Sequence, residues 1–167
     1  SGVDRRNRKT MKPHFQMPQN FVRVVWMLVL WTCLCFNSNL FAQVNPAEES
    51  LLQADRDFSG MGKQKGLKAA FLHFADSSAI LLRDGSEPIR GLEAIEKSFG
   101  PEVPGFVLAW EPEFATVAES GELGYTLGHF QALDPDGKVL NKGTYTSVWR
   151  KNPKGEWKWL IDVGVQH

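Results

Sequence analysis

The spacing of apolar positions changes once along the chain, from a helical period to strict alternation. Asn45, Pro46 and Glu48 have the order of a helix start, namely a capping side chain, proline at the first helical position and an acid three residues after the cap. Apolar residues at helical spacing then predict three helices and one short strand, near residues 45–61, 67–76, 79–83 (the strand) and 92–99. The glycines between residues 60 and 66 are expected to end the first helix.

After Gly105 the apolar residues alternate, which is typical of half-buried strands. Four strands are predicted, at about residues 106–118, 122–133, 139–151 and 156–166. Turn residues such as Ser120 and Gly121 separate them, so each strand is expected to pair antiparallel with the next. The sequence therefore predicts an α+β fold with three N-terminal helices on one face of an antiparallel sheet.

Residues 1–42 are predicted to be a leader with a secretory signal peptide, and residues 43–167 a single domain. Val24–Phe36 is a 13-residue apolar run, which is short for a membrane span and typical of a signal peptide. A polar stretch follows, and cleavage is expected between Ala42 and Gln43. The protein would then be exported to the periplasm or secreted. The alternative is an uncleaved N-terminal anchor.

The composition of residues 43–167 excludes several classes of function. Both cysteines, Cys33 and Cys35, lie in the predicted leader, so no disulfide or thiol chemistry is expected in the domain. The domain holds 13 lysines and arginines against 18 aspartates and glutamates, a net charge of −5. This balance argues against nucleic acid and anionic membranes as partners. No ligand spacing matches a metal motif, and we expect no metal and no cofactor.

Three stretches of the domain resemble a known family. They are the FAD at residues 74–76, the G-x-x-P-I-x-G at 85–91 with Glu93 and Ile95 behind it, and GTYTSVWRKNPKGEWKWLID at 143–162. In order and spacing they resemble the SnoaL-like, ketosteroid-isomerase-like domains of the nuclear transport factor 2-like superfamily, in particular exported single-domain members. The resemblance implies a strongly bent sheet wrapped around the helices as a cone, with a pocket inside.

The resemblance also tests one specific chemistry. Ketosteroid isomerases use a carboxylate base, with a tyrosine and a protonated aspartic acid that bind the enolate oxygen. The base position falls on Leu82, the acid position on Ser147, and the tyrosine position at or next to Phe58. Because leucine takes no proton and phenylalanine donates none, we do not expect ketosteroid isomerisation by that mechanism.

Pairing the strands through their turns predicts which side chains face the cone. Asp162 is expected opposite Tyr145, and Ser147 opposite Tyr125. The expected pocket mixes aromatic, aliphatic and polar groups, as small-molecule sites do. Its predicted lining residues are Trp110, Phe114, Tyr125, Leu127, Ser147, Trp149 and Leu160, with Phe58 and Leu82.

Asp162, Tyr145 and His129 are the predicted catalytic residues. Asp162 lies on an apolar strand, where desolvation would raise its pKa and make it a base near neutrality. Tyr145 would donate a hydrogen bond, and His129 would be a second acid–base group. The predicted function is binding of a small apolar or carbonyl ligand, with lyase, isomerase or hydrolase chemistry. The alternatives are that Asp162 only closes the cone, and that the domain is a non-catalytic binding or dimeric interaction module.

The opposite sheet face is predicted to carry Trp157, Trp159, Ile161 and Val163. An apolar face directed away from the helices usually needs a partner, so a homodimer through this face is expected. The alternative is that the bent sheet hides both tryptophans within one subunit. Arg83 and Asp84, beside Gly85, are interpreted as turn and rim residues.

Overall fold

The structure is a computed structural model that describes residues 45–167. It contains three helices, α1 (Pro46–Lys65), α2 (Leu67–Phe74) and α3 (Leu92–Ser98). In this part of the chain no helix is long and apolar enough to cross a membrane. The predicted leader, 1–42, and its cleavage site lie outside the described residues.

Six strands form one sheet. They are β1 (Ala75–Leu82), β2 (Ile89–Arg90), β3 (Val107–Val117), β4 (Leu123–Leu133), β5 (Val139–Lys151) and β6 (Trp157–Gln166), in the order β2-β1-β6-β5-β4-β3. The last four strands begin and end within a residue of the predicted positions. The α+β class is therefore confirmed.

The sheet is mixed, and the prediction of a purely antiparallel sheet is wrong at one position. β1 pairs parallel with β6, with Leu81 beside Asp162, whereas every other neighbouring pair is antiparallel. A short turn fixes the direction of the strands that it joins. No turn joins β1 to β6, because the whole β3–β5 meander lies between them in sequence, so turn chemistry gives no information about this pair.

Helix α1 begins as predicted and ends later than predicted. The Asn45 side chain accepts a hydrogen bond from the Ala47 N–H at 3.0 Å, with Pro46 at the first helical position. The helix continues through Gly62 to Lys65. A Cβ on Gly62 would lie 3.2 Å from Cη2 of Trp110. The glycine thus allows close packing of the helix on β3, which offsets its low helix propensity.

Both α1 and α2 pack on one face of the sheet, called the inner face below, and bury an aromatic core there. The Phe58 ring lies at the centre of this core, with centroid distances of 4.7 Å to Trp110 and 4.8 Å to Phe71, both in edge-to-face geometry. Trp149 and Trp159 are fully buried in the same cluster. Aromatic pairs of this geometry add to the stabilisation from buried area alone.

Two β-bulges set which side chains face inward. In β3 the register with β4 shifts between Pro112 and Phe114, so Trp110 faces inward and Phe114 outward. Between β5 and β6 it shifts between Val148 and Trp149, which leaves Leu160 without a partner residue. Trp159 and Asp162 consequently both face inward, although an uninterrupted alternation would place them on opposite faces.

A third register shift corrects the predicted pairing of β4 with β5. It lies between Ala132 and Leu133, next to the hairpin turn. Tyr145 consequently lies opposite Gly128 and Gly164. A shift of one residue moves a whole set of side chains to the other face. The prediction that Tyr125, Leu127 and His129 face the cone is therefore wrong, and they lie on the outer face.

The predicted position of the two tryptophans on the outer face is also wrong. Trp159 is fully buried, and its indole N–H donates to the Phe71 carbonyl at 3.1 Å. The Trp157 indole N–H donates to Ser50 Oγ at 3.2 Å. The bent sheet hides both rings within one subunit, which was the alternative interpretation. Of the four residues predicted on this face, Ile161 and Val163 are directed outward.

Candidate ligand cavity

A cavity of about 520 Å³ lies between the helices and the inner face of the sheet. Seven aromatic side chains form much of its wall: Phe58, Phe71, Phe99, Phe106, Trp110, Phe130 and Tyr145. A few polar groups, including the Asp162 carboxyl group, also reach it. Apolar walls with few polar groups are the usual construction of small-molecule sites. The pocket implied by the resemblance is thus present.

Two other concavities of similar volume differ in character. One, of about 530 Å³, lies between the α1–α2 junction and residues 99–108. The other, of about 540 Å³, is an open groove with polar side chains such as Lys63, Lys142 and His167 along it. Each of these two is lined by only two phenylalanine, tyrosine or tryptophan residues, against seven in the cavity on the inner face. The cavity on the inner face is therefore the candidate functional site.

Asp162 is the ionisable group of this cavity whose pKa lies near neutrality. Its Oδ2 accepts a hydrogen bond of 2.5 Å from Ser147 Oγ, and the described residues supply no other hydrogen bond to it. Burial raises the pKa of Asp162 to about 7, against the opposing effects of the Ser147 hydrogen bond and the Arg83 charge. The carboxyl group is therefore partly protonated near neutral pH, and it can both accept and donate a proton.

Tyr145 lines the same cavity but does not bond to Asp162. Its hydroxyl group donates to Asp55 Oδ2 at 2.9 Å. Burial and the neighbouring charge of Asp55 raise the pKa of the phenol, so it stays protonated. The expected pairing of Tyr145 with Asp162 is wrong, because β6 places Gly164 rather than Asp162 beside Tyr145.

Asp55 is a buried acid that the sequence analysis missed. It is fully buried on α1, and it accepts hydrogen bonds of 2.9 Å from the Trp110 indole N–H and the Tyr145 hydroxyl group. Burial raises the pKa of Asp55, and its hydrogen-bond donors oppose the rise. Asp55 lies on the same helical face as Leu51 and Phe58, and an acid on an apolar face is the signal that could have identified it.

Arg83 is exposed, as expected of a rim residue, and it also makes contacts that hold it beside the cavity. It follows β1 directly and lines the cavity. Its Nη1 donates to the Ser98 carbonyl at 3.1 Å, and its guanidinium lies 4.8 Å from the centroid of the Phe99 ring. Its positive charge lowers the pKa of Asp162, while burial lowers the pKa of Arg83 itself.

Comparison with known proteins gives matches of structure alone. No protein-family model and no curated protein matches the chain. A domain with a cystatin-like fold from Nostoc punctiforme PCC 73102 has a TM-score of 0.60 at 17% identity, covering 74% of this chain and 80% of that chain. An NTF2-like protein from Novosphingobium aromaticivorans has a TM-score of 0.60 at 11% identity, covering 89% and 90%. This chain has the NTF2-like fold.

A ketosteroid isomerase-like protein from Erwinia carotovora atroseptica SCRI1043 shares this NTF2-like fold, with a TM-score of 0.56 at 12% identity, covering 69% of this chain and 92% of that chain. Leu82, at the position implied for the isomerase base, lines the NTF2-like cavity without an ionisable group. Ser147, at the position implied for the acid, instead donates a hydrogen bond to Asp162. The local contacts thus differ from those that the isomerase mechanism needs.

The remaining predicted site residues divide between the cavity, the core and the outer face. Phe58 and Trp110 line the cavity, as expected. Trp149 is fully buried in the core, where its indole N–H donates to Thr126 Oγ1 at 3.0 Å. His129 is exposed and lies 3.1 Å from a Glu113 carboxylate oxygen, so it does not join Asp162.

Six predicted pocket residues do not line the cavity: Phe114, Tyr125, Leu127, Ser147, Trp149 and Leu160. The first three lie on the outer face, where the Phe114 and Tyr125 rings are 6.1 Å apart. Leu160 is the unpaired residue of the β6 bulge. Within residues 45–167, no three histidine, cysteine, aspartate or glutamate side chains are grouped as a metal site would need.

Proposed function

We propose that this domain binds a small apolar ligand with a carbonyl group in the NTF2-like cavity, and that Asp162 exchanges a proton with it. The chemistry would be of the lyase, isomerase or hydrolase type. One observation carries the proposal: Asp162 presents a carboxyl group of pKa about 7, with a single hydrogen bond from residues 45–167, to a space walled by aromatic rings.

Ligand binding can be tested with N-phenyl-1-naphthylamine, an uncharged dye that fluoresces in apolar sites. Gly164 lines the cavity, and a Cβ there would lie 3.2 Å from Cε1 of Phe130. We expect Gly164→Leu to fill the cavity and reduce dye affinity at least tenfold. Gly60→Leu is the matched control, since a Cβ on Gly60 meets nothing within 4 Å. Equal dye binding by both variants would place the dye elsewhere and contradict the proposal.

Proton transfer can be tested without knowing the natural substrate. A general base in the cavity would remove an α-proton from a bound aryl ketone such as 2-tetralone and return a deuteron from deuterated solvent. We expect the wild-type protein to accelerate this exchange, measured by proton NMR, and Asp162→Asn to abolish the acceleration. If both proteins bind the ketone and neither accelerates exchange, the domain is a non-catalytic binding module.

A homodimer through the outer sheet face is the second candidate, and exposed apolar residues favour it. Phe114 is 48% exposed and Val165 is 62% exposed, and Tyr125 and Leu127 lie near Phe114 on the same face. Contiguous exposed apolar surface is typical of protein contacts. We expect light scattering to give twice the mass of one chain, and Leu127→Lys to lower it. A wild-type mass equal to one chain would exclude this dimer.

We also propose that the protein is exported, and this proposal rests only on the sequence of residues 1–42. The apolar run Val24–Phe36 and the small residue at Ala42 support it. We expect the N-terminal sequence of the protein recovered from the periplasm or medium to begin at Gln43. Recovery of the whole chain from the cell membrane would instead support the uncleaved anchor.

A further inference from the structure

We infer that the ligand of this cavity is amphipathic, with an anionic group that pairs with the Arg83 guanidinium and an apolar body among the aromatic rings. The inference rests on the proposed function, because it assumes that the cavity binds a ligand. It adds the chemical class of that ligand, namely an acid with a hydrophobic skeleton.

The position of the Arg83 side chain is fixed from two sides. Its Nη1–H donates to the Ser98 carbonyl, and the Phe99 ring lies beneath the guanidinium plane. Arginine loses little freedom when its planar group is held in this way, so it can bind a second partner at low entropic cost. Arg83 is therefore preorganised at the cavity.

The charge of Arg83 has no partner in the described part of the chain. Arg56 forms ion pairs with Glu49 and Glu111, and Arg150 pairs with Asp76. No carboxylate among residues 45–167 lies within ion-pair distance of Arg83. A guanidinium has five N–H groups, of which the Ser98 carbonyl uses one. The free donors match the geometry of a carboxylate, sulfonate or phosphate.

Arg83 and Asp162 line the same cavity, so a bound ligand meets both charges. The charge of Arg83 lowers the pKa of Asp162, and both residues line the cavity. Because Asp162 is half protonated near pH 7, it neutralises Arg83 incompletely. Partly desolvated charges are stabilised by an opposite charge at short range. An anionic group on the ligand supplies that charge, while its apolar part occupies the aromatic wall.

One acidic residue opposes an anion at this position. Asp84 follows Arg83, lines the cavity and is exposed. Its charge is well solvated, so its repulsion is screened and weaker than a direct contact with Arg83. Removal of the Asp84 charge should therefore strengthen the binding of an anion and leave the binding of a neutral ligand unchanged.

The experiment compares two dyes with the same ring skeleton, using the full chain. They are 8-anilinonaphthalene-1-sulfonate, which carries a sulfonate, and N-phenyl-1-naphthylamine, which does not. Fluorescence titration should give at least tenfold tighter binding of the sulfonate by the wild type. Arg83→Gln should remove that difference without changing the affinity for the neutral dye. Arg90→Gln, an exposed arginine outside the cavity wall, is the matched control and should change neither affinity.

Two further variants keep the result interpretable. Asp84→Asn should strengthen sulfonate binding about twofold or more and leave the neutral dye unchanged. If Arg83→Gln does not fold, Arg83→Lys retains the charge without the planar fork, and it should keep only part of the preference.

The outcomes separate this inference from the proposed function. Equal affinities of the wild type for both dyes, or equal losses in Arg83→Gln and Arg90→Gln, would overturn the inference. Even after such a result, the proposed function stands if the neutral dye binds the wild type and Gly164→Leu prevents its binding. If neither dye binds the wild type, both proposals fail.

Discussion

Asp55 and Asp162 both lie on the inner side of the sheet, but they differ in how many hydrogen bonds their carboxyl groups accept. Burial raises the pKa of both. Both oxygens of Asp55 accept hydrogen bonds, from Trp110 and from Tyr145, whereas Asp162 accepts one hydrogen bond from the described part of the chain, from Ser147. The Asp162 carboxyl group also lines the cavity. A shifted pKa therefore identifies a functional candidate only where an oxygen is still free for a ligand.

The difference follows from which elements each acid connects. Asp55 joins α1 to β3 and β5, because its two donors come from Trp110 on β3 and Tyr145 on β5. Asp162 and Ser147 are opposite residues on adjacent strands of the sheet. Asp55 therefore links three elements of the fold, whereas Asp162 links only two adjacent strands on the inner face. We expect mutations at the two sites to affect different properties.

The largest expected effect is on stability, for Asp55→Ala. The change leaves the buried Trp110 and Tyr145 donors without acceptors, and each such group costs about 1–3 kcal/mol. We expect the free energy of unfolding to fall by about 3 kcal/mol, measured by urea denaturation. Asp57→Ala, two residues away on the exposed face of α1, should change it by less than about 0.5 kcal/mol. Similar losses of unfolding free energy in the two variants would contradict the structural role of Asp55.

The second effect concerns pH, for Asp162→Asn. The folded-state pKa of Asp162, about 7, lies above the unfolded value near 4, so the folded protein binds this proton more tightly. Its contribution to stability is complete below about pH 4 and is lost as the pH rises towards 7. At about 1.4 kcal/mol per pKa unit, reduced for solvent in the cavity, we expect a loss of roughly 1–2 kcal/mol.

Denaturation of the wild type and Asp162→Asn across that pH range measures this loss. The stability difference between the two proteins should shift in favour of the variant as the pH rises. The other titrating groups cancel in the difference. A difference independent of pH would mean that the pKa of Asp162 is not raised, and the comparison with Asp55 would lose its basis.

The smallest expected effect is on the pKa of Asp162 in Ser147→Ala. The Ser147 hydrogen bond lowers this pKa, so its removal should raise it further. A hydrogen bond to a charged group is worth about 1.5 kcal/mol and a pKa unit about 1.4 kcal/mol, so we expect a rise of roughly one unit. A carbon-13 NMR titration of the aspartate carboxyl groups measures it. Ser59→Ala, whose hydroxyl group donates to the Trp110 carbonyl instead, should leave the pKa unchanged.

Turn chemistry and periodicity were sufficient to predict the bounds of β3 to β6 but not their register. They did not predict the two-residue β2, and β1 begins at Ala75 rather than near residue 79. Turn residues mark where a strand ends, and alternation marks its length. Each bulge inserts one residue that alternation does not show, and it reverses the faces beyond it. Tyr125 and Leu127 were assigned to the inside because the strands were paired through their turns without a bulge. The small residues between them were the better signal, since a Cβ on Gly128 would lie 2.8 Å from Cε1 of Tyr145.

Site residues could be predicted where the residue type and its position in the sequence pattern were sufficient to identify them. Asp162 stands out as an acid on an apolar strand, and Phe58 and Trp110 as large aromatics. Asp55 was missed because helices usually expose their acids, and only its tertiary contacts show it to be buried. Arg83 was missed because it follows a strand and precedes a turn, which is typical of a surface residue. Its function depends on Phe99 and on the Ser98 carbonyl, which are distant in sequence.

The parallel pairing of β1 with β6 determines when the binding site can exist during folding. Leu81 and Asp162 are neighbours in the sheet, but all of β3, β4 and β5 lie between them along the chain. Contacts between distant segments require closure of a long loop and form slowly. The meander can form from its hairpins while the chain is still emerging from the ribosome. The cavity cannot, because its acid is on the last strand, so fragments that lack the C-terminal residues would have most of the sheet and no site.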